Sequence, residues 1–377
     1  MVHKTSAWPL AGAYALLVVY ASLYPFSGWR NQEIPPWDFL FAGWPRYWTG
    51  FDVAANVVGY IPLGFLFALA FMRRGNARHF GAHPNLAAIG VAVLAGAGMA
   101  FLMEAIQNFL PSRVASNVDL GLNIAGALIG AVTATGLEVG GAIDHWSRFR
   151  ERWFIPEARG ALVLLALWPF ALLFPAAVPL GLGQVLERLE TGLAEWLEDT
   201  PFLEWLPVRE VELQPLVPAA ELLCVALGAF VPCLLGYSIL RSAGRRAVFA
   251  FVAIGVGVSV TALSAALSWG PAHAWAWLSL PVRLGLLFGL VLALLMLAVP
   301  RRGCAAMLLL ALVVHLSVLN QAPASAYFAD TLQAWEQGRF IRFHGLAQWL
   351  GWLWPYAVLV YVVLRISRRE APPTMPA

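Results

Sequence analysis

Three groups of polar residues in the N-terminal part of the chain have the types and spacing that a binding or proton-transfer site requires. An acid, an amide and a glycine recur 67 residues apart, as Asp52, Asn56 and Gly59 and again as Asp119, Asn123 and Gly126. Residues at this spacing lie along one face of a helix. Between the two copies lies a third group, Glu104, Gln107 and Arg113. Together they predict one shared polar site.

The residue types in this set suit acid–base chemistry on a polar or anionic substrate. Clustered carboxylates raise one another's pKa, so Glu104 and Asp119 are predicted to exchange protons as catalytic residues. An arginine can hold a phosphate through two hydrogen bonds. The predicted substrate-binding residues are Asp52, Asn56, Gln107, Arg113 and Asn123. Proton coupling or a divalent cation would use the same side chains, but the sequence has no metal motif or nucleotide loop, and we predict neither a metal nor a cofactor.

Simpler structural roles account for several of these residues one at a time. Asp52 and Asp119 each stand where an N-cap aspartate would satisfy free backbone N–H groups. Arg113 would pair with Glu104 across a short loop, and the asparagines would link helices by hydrogen bonds. Three unrelated caps would not place Glu104 and Gln107 together at a helix end. We therefore favour a shared functional site.

The composition predicts an all-α fold, a polytopic transmembrane helical bundle. The chain is 60% hydrophobic and 12% charged with a mean hydropathy of +0.71, which is more apolar and less charged than a soluble domain. A membrane span needs about 20 mostly apolar residues. About ten segments qualify, near residues 8–26, 52–72, 86–107, 119–139, 160–180, 216–240, 247–267, 282–299, 303–319 and 346–366.

The distribution of basic residues predicts the orientation of the bundle, because lysine and arginine near span ends are retained in the cytoplasm. With the N-terminus inside, 16 of the 24 basic residues fall in inner segments, so the N- and C-termini are both predicted to be cytoplasmic. The polar set then lies at the outer face. We predict a multi-pass protein of the bacterial cytoplasmic (inner) membrane. Its net charge of +3 requires no nucleic-acid partner.

A basic stretch divides the predicted spans into four and six. We predict a four-span membrane domain at residues 1–143, a basic cytoplasmic linker at 144–159 and a six-span C-terminal membrane region at 160–377. Residues 181–215 carry eight acids against two arginines and repeat apolar residues at helical spacing. This pattern predicts an acidic outer loop with an amphipathic helix. A second amphipathic segment is predicted from Tyr327 to Phe343.

Four motifs stand together in the first four predicted spans. They are Tyr24-Pro25-Phe26, Asp52-x3-Asn56 leading to Ile61-Pro62-Leu63-Gly64, Glu104-x2-Gln107 before Arg113, and Asp119-x3-Asn123-x2-Gly126. This set resembles the VanZ-like family over roughly residues 8–140. That family is named for an accessory protein that raises tolerance to the antibiotic teicoplanin, and its biochemical mechanism is not established. The resemblance implies a membrane protein that acts on the cell envelope, and it does not imply an enzyme.

These observations predict an integral envelope protein with an outer-facing polar pocket that binds or handles a lipid-linked substrate or a lipid headgroup. The predicted partners are membrane lipids, with a lipid-linked saccharide as the candidate substrate. One alternative is a transporter or flippase of an envelope lipid or saccharide. Another is a non-catalytic accessory protein that scaffolds an envelope assembly through the acidic loop. The sequence leaves open whether a bond is broken and which proteins bind.

Overall fold

The computed structural model of the chain is built from α-helices. It describes residues 7–23, 26, 28–44, 50–73, 84–111, 113–174, 176–205, 213–323 and 341–367. Within these ranges there is no β-strand, only an isolated bridge between Phe154 and Leu240. The α-helices of the described ranges are α1 (Ala7–Leu23), α2 (Gly50–Arg73), α3 (Pro84–Gln107), α4 (Asn117–Val139), α5 (Ala142–Trp153), α6 (Arg159–Ala171), α7 (Leu186–Leu197), α8 (Pro218–Tyr237), α9 (Ala243–Trp269), α10 (Leu280–Leu295), α11 (Arg301–Leu319) and α12 (Ile341–Ser367). The predicted all-α class is confirmed.

Eight helices of the described residues are long and apolar enough to cross a membrane, judged by length and composition. They are α2, α3, α4, α8, α9, α10, α11 and α12. The remaining two predicted spans, near residues 8–26 and 160–180, correspond to the shorter apolar helices α1 and α6. At about 1.5 Å per residue, the 13 residues of α6 rise only about 20 Å, less than the hydrocarbon thickness of about 30 Å.

The chain divides into two compact units, Met1–Phe149 and Arg150–Ala377, here called the N-terminal unit and the C-terminal unit. The division falls inside α5, so much of the predicted linker at 144–159 is helical. Parts of the sequence predictions lie outside the described residues: Tyr24 and Pro25 of the first motif, residues 206–212 of the acidic loop, and residues 327–340 of the second amphipathic segment.

The N-terminal unit is organised around the pair α2 and α4, which make its most extensive helix contact. Helix α3 packs against both, and α1 packs against α2 and α3. Leu63, Ala100 and Leu110 are fully buried between them. The Tyr14 hydroxyl donates a 3.0 Å hydrogen bond to the Gly59 carbonyl and fixes α1 on α2. Polar groups therefore reinforce an apolar core at the level of the predicted site.

The C-terminal unit is organised around α8, in which every residue from Cys224 to Tyr237 is buried. A helix that is apolar on all sides is expected at the centre of a bundle, and α10 and α11 pack directly on it. Helices α6 and α12 form a second pair, joined by a 2.7 Å hydrogen bond from Trp354 Nε1 to the Leu164 carbonyl. Helix α7 lies in the segment predicted to be amphipathic, and its leucines at 186, 189 and 193 are exposed.

Candidate functional site

The predicted site is built on the close parallel packing of α2 and α4. A Cβ at Gly126 would overlap the Val57 carbonyl, and one at Gly130 would overlap the Ile61 carbonyl. Residues 57 and 61 thus meet residues 126 and 130, so the two helices run in the same direction and the repeat copies lie nearly side by side. Glycine permits this approach because a larger residue would separate the backbones. Gly59, the repeat counterpart of Gly126, has open space where its Cβ would be.

One hydrogen bond joins the two copies of the repeat. Asn56 Nδ2, from the first copy, donates to Asp119 Oδ1, from the second, over 2.7 Å. Asp52 lies one turn before Asn56 on α2, and its negative charge acts on Asp119. Three of the predicted site residues are therefore brought together where α2 and α4 begin. The like charges of the two aspartates repel each other, and the Asn56 amide offsets part of that repulsion.

The start of α4 shows that Asp119 is not the N-cap, which corrects the capping interpretation for this residue. The Ser116 hydroxyl accepts hydrogen bonds from the backbone N–H groups of Val118 at 3.2 Å and Asp119 at 3.4 Å. Ser116 therefore caps the helix, and Asp119 stands three residues further on. The carboxylate of Asp119 is left to bind Asn56. Ser116 was missed in the sequence, although a serine followed three residues later by an acid is a helix-start pattern.

Glu104 occupies the most buried position among the predicted acids. Its side chain is 4% exposed, and its Oε2 accepts a 2.9 Å hydrogen bond from the backbone N–H of Ser116. Through Ser116, this carboxylate is tied to the first turn of α4. The charge of Glu104 also acts on Tyr60, which projects from α2. Glu104, on α3, is therefore buried beside both α2 and α4.

Two buried polar atoms near these acids have no hydrogen-bond partner among the described residues. They are Asn123 Oδ1, on a side chain that is 4% exposed, and the Tyr60 hydroxyl oxygen, on a side chain that is 5% exposed. Asn123 lies one turn beyond Asp119 on α4, and Tyr60 one turn beyond Asn56 on α2. Buried polar atoms normally have a hydrogen-bond partner. A bound polar group would therefore find unused hydrogen-bonding atoms beside Asn123 and Tyr60. Tyr60 was not predicted as a site residue.

The other two predicted residues lie at the edge of this group. Gln107 Nε2 donates a 2.9 Å hydrogen bond to the Ser22 carbonyl and so holds the end of α1 against α3. Arg113 is half-buried in the loop between α3 and α4. That loop is fastened by Gln32, whose Nε2 donates to the Asn108 carbonyl at 2.6 Å, and by Asn117, whose Nδ2 donates to the Ala42 carbonyl at 2.7 Å. Asn108 and Asn117 were not singled out in the sequence.

No group of three or more histidine, cysteine, aspartate or glutamate side chains among the described residues has an arrangement that could hold a metal ion. Asp52 and Asp119 influence each other electrostatically, whereas the contacts of Glu104 are with Ser116 and Tyr60. Asp119 is directed to an amide, whereas Glu104 is directed to a backbone N–H. The two carboxylates are therefore held by different kinds of donor on different elements.

The comparison with protein families assigns the region that contains this site. Residues 7–138 match the family model described as VanZ/LLP1. Over these residues the chain is similar to the VanZ/LLP1 family. All seven predicted site residues fall inside the VanZ/LLP1 region, and the match ends before α5, so the C-terminal unit lies outside it. The comparisons with curated proteins and with solved structures give no match. The VanZ/LLP1 match and the apolar helices together indicate a multi-pass membrane protein.

A separate cavity lies outside the VanZ/LLP1 region, in the C-terminal unit. It has a volume of about 30 Å³ and lies beside the irregular segment that follows α6. The guanidinium carbon of Arg188 stands 4.7 Å from the centre of a Trp352 ring at its wall. Partial burial there lowers the pKa of Arg188, and the charge of Glu187 opposes the shift. None of the predicted site residues lines this cavity.

Proposed function

We propose that the VanZ/LLP1 region binds either the polar headgroup of an envelope lipid or a lipid-linked saccharide. The binding site is the cluster where α2 and α4 begin. The observation that carries the proposal is the pair of buried atoms without a described partner, Asn123 Oδ1 and the Tyr60 hydroxyl, one turn from the Asn56–Asp119 hydrogen bond. A ligand hydroxyl or ammonium group would donate to Asn123. The same group would be attracted to the nearby carboxylates.

The charges of the cluster indicate the class of headgroup. Three acids stand with one arginine, Arg113, so the cluster favours a ligand that brings hydrogen-bond donors or positive charge. Sugar hydroxyls and an amine both meet that requirement, and Arg113 would contact an adjacent phosphate. Glu104 is the candidate for proton exchange because it is the most buried of the three acids. In this proposal the protein resides in the bacterial cytoplasmic membrane and acts on lipid or polysaccharide of the cell envelope.

The test compares envelope composition in strains that express variants at normal level. Glu104→Gln, Arg113→Ala and Asp119→Asn are expected to reproduce the lipid and glycan profile of a strain that lacks the protein. Glu138→Gln is the matched control, since it makes the same acid-to-amide change in the last turn of α4, away from the cluster. The proposal fails if deletion alters the profile while all three cluster variants restore it as well as the control does.

A second candidate function is movement of a lipid or saccharide across the membrane, and the C-terminal unit supplies the observation that favours it. Helix α6 is too short to span, and the described non-helical residues that follow it are buried or half-buried and line this small cavity. Buried non-helical backbone at a cavity is typical of transporters. Reconstituted vesicles carrying a fluorescent headgroup lipid test this function. Flipping that is no faster than in protein-free vesicles would exclude it for that lipid.

A further inference from the structure

A second charged cluster lies in the C-terminal unit, around the end of α8. Arg365 donates a 3.0 Å hydrogen bond to the Ser238 carbonyl, and Arg301 donates a 3.2 Å hydrogen bond to the Leu240 carbonyl. Arg241 follows directly and donates from Nε to the Phe154 carbonyl at 2.7 Å. Three arginines from different parts of the chain therefore meet at residues 238–241. We call Arg241, Arg301 and Arg365, together with Arg246, the arginine cluster.

Arg246 is the buried member of the arginine cluster. Its side chain is 6% exposed and lies over the Tyr237 ring, 5.6 Å from the ring centre. It donates to the Leu297 and Val299 carbonyls at the end of α10, at 2.9 and 2.6 Å. Its Nε and the Tyr237 hydroxyl are both buried and have no partner among the described residues. The cluster thus contains a nine-tenths-buried cation with a donor still to satisfy.

Part of this charge has a structural explanation, because cations stabilise the negative ends of helices. The carbonyls bound here follow the ends of α5, α8 and α10, and each helix end carries about half a negative charge. Three such ends amount to about one and a half negative charges against four arginines. Glu157 contributes one acid whose charge reaches Arg301. About one and a half positive charges remain, and Arg301 is repelled by the other three arginines.

The exposed members of the cluster keep donors available. Arg241 and Arg301 are exposed, and the guanidinium group of each donates one hydrogen bond within the described part of the chain. A guanidinium has five N–H donors, and its planar fork matches the oxygens of a phosphate. The cluster lies where α8 ends and α11 begins, at the ends of two candidate spans. Residues at span ends face the headgroup layer, and basic pockets between span ends bind anionic headgroups.

We propose that the arginine cluster is a binding site for the phosphate of an anionic phospholipid. The lipid phosphate contacts the exposed guanidinium groups of Arg241 and Arg301. The buried guanidinium of Arg246 adds positive charge from inside the protein. This site is separate from the polar cluster of the VanZ/LLP1 region, because it is built only from residues of the C-terminal unit.

The test measures lipid binding to the purified full-length protein by native mass spectrometry. Phosphatidylglycerol is expected to bind the unaltered protein at least about tenfold more tightly than phosphatidylcholine, and the double variant Arg241→Gln with Arg301→Gln is expected to lose that preference. Arg283→Gln is the matched control, since this exposed arginine also donates from Nε to one backbone carbonyl, that of Leu278 at 2.9 Å. The control is expected to retain the preference.

Four results would overturn the proposal. The double variant could keep the full preference for phosphatidylglycerol, or the control could lose it equally. Millimolar inorganic phosphate could displace the lipid from the unaltered protein, which would make the cluster a site for the free ion. If the double variant fails to elute as folded protein, each single variant is measured, and retention of the full preference by both singles counts against the proposal.

Discussion

Asn56 donates a 2.7 Å hydrogen bond to Asp119, so the amide of one repeat copy binds the acid of the other. The two copies are therefore joined in one hydrogen-bonded cluster. The close contact of α2 and α4 makes this bond possible, because their glycines bring the two backbones together.

Exchange of the two side chains tests the bond itself. Asn56→Asp removes the donor and adds a third carboxylate beside Asp52 and Asp119, so we expect a loss of about 1–2 kcal/mol in the free energy of unfolding. Adding Asp119→Asn to that variant restores an amide–carboxylate pair in the reverse sense and is expected to recover most of the loss. Reversible unfolding in mixed micelles measures both. A double variant no more stable than Asn56→Asp would contradict the pairing.

The glycines at equivalent repeat positions are expected to respond differently to the same change. Gly126→Ala places a methyl group against the Val57 carbonyl and the Tyr60 side chain, so we expect it to destabilise the protein by about 1–3 kcal/mol. Gly59→Ala meets open space and is expected to be neutral or slightly stabilising, because alanine favours helix. The thermal midpoint of the purified protein distinguishes them. Equal effects at both positions would show that the α2–α4 contact differs from that described.

The cap of α4 gives a prediction about local stability. Ser116→Ala removes the acceptor for the N–H groups of Val118 and Asp119 and is expected to cost about 1 kcal/mol. Ser116→Thr keeps a hydroxyl and should retain most of the stability. Hydrogen exchange is expected to become faster at residues 117–120 in the alanine variant. Unchanged exchange there would assign the cap to another residue.

Asn320 is expected to hold the start of α7 in place. Its Oδ1 accepts hydrogen bonds from the backbone N–H groups of Val185 at 3.0 Å and Leu186 at 3.1 Å, and its Nδ2 donates to the Gly183 carbonyl at 3.2 Å. Asn320→Ala should therefore increase proteolysis and hydrogen exchange in residues 185–190.

The neighbouring Gln321 is exposed, so Gln321→Ala controls for the position. Asn320→Asp keeps the acceptor and is expected to fall between the unaltered protein and Asn320→Ala. If Asn320→Ala and Gln321→Ala exchange alike, Asn320 does not cap α7.

Composition and apolar run length were enough to predict the all-α class and the positions of eight spans, since both reflect the hydrophobic thickness of a bilayer. They could not show that α6 stops at Ala171, because the following residues are as apolar as a span and only Pro175 and Pro179 mark the change. Run length measures apolar character, whereas the end of a helix depends on backbone hydrogen bonds.

The spacing of Asp52, Asn56, Asp119 and Asn123 predicted a shared polar face, and the structure brings three of these four residues to one point. The spacing could not reveal which atoms pair. Asn56 reaches Asp119 because of how far α2 is shifted along α4, and that shift is set by packing between helices that are distant in sequence. Tyr60 was overlooked because a tyrosine in an apolar helix resembles ordinary core. Its isolation from partners becomes visible only once the helices are packed.

A structure of the protein in nanodiscs made from its own membrane lipids tests the central claim most directly. The account predicts density for a bound headgroup that contacts Asn123 Oδ1 or the Tyr60 hydroxyl and reaches toward Asp119 and Glu104. The same map of Asp119→Asn with Glu104→Gln should lose that density. A well-resolved cluster in the unaltered protein, packed by its own side chains and without density for any bound group, would contradict the claim.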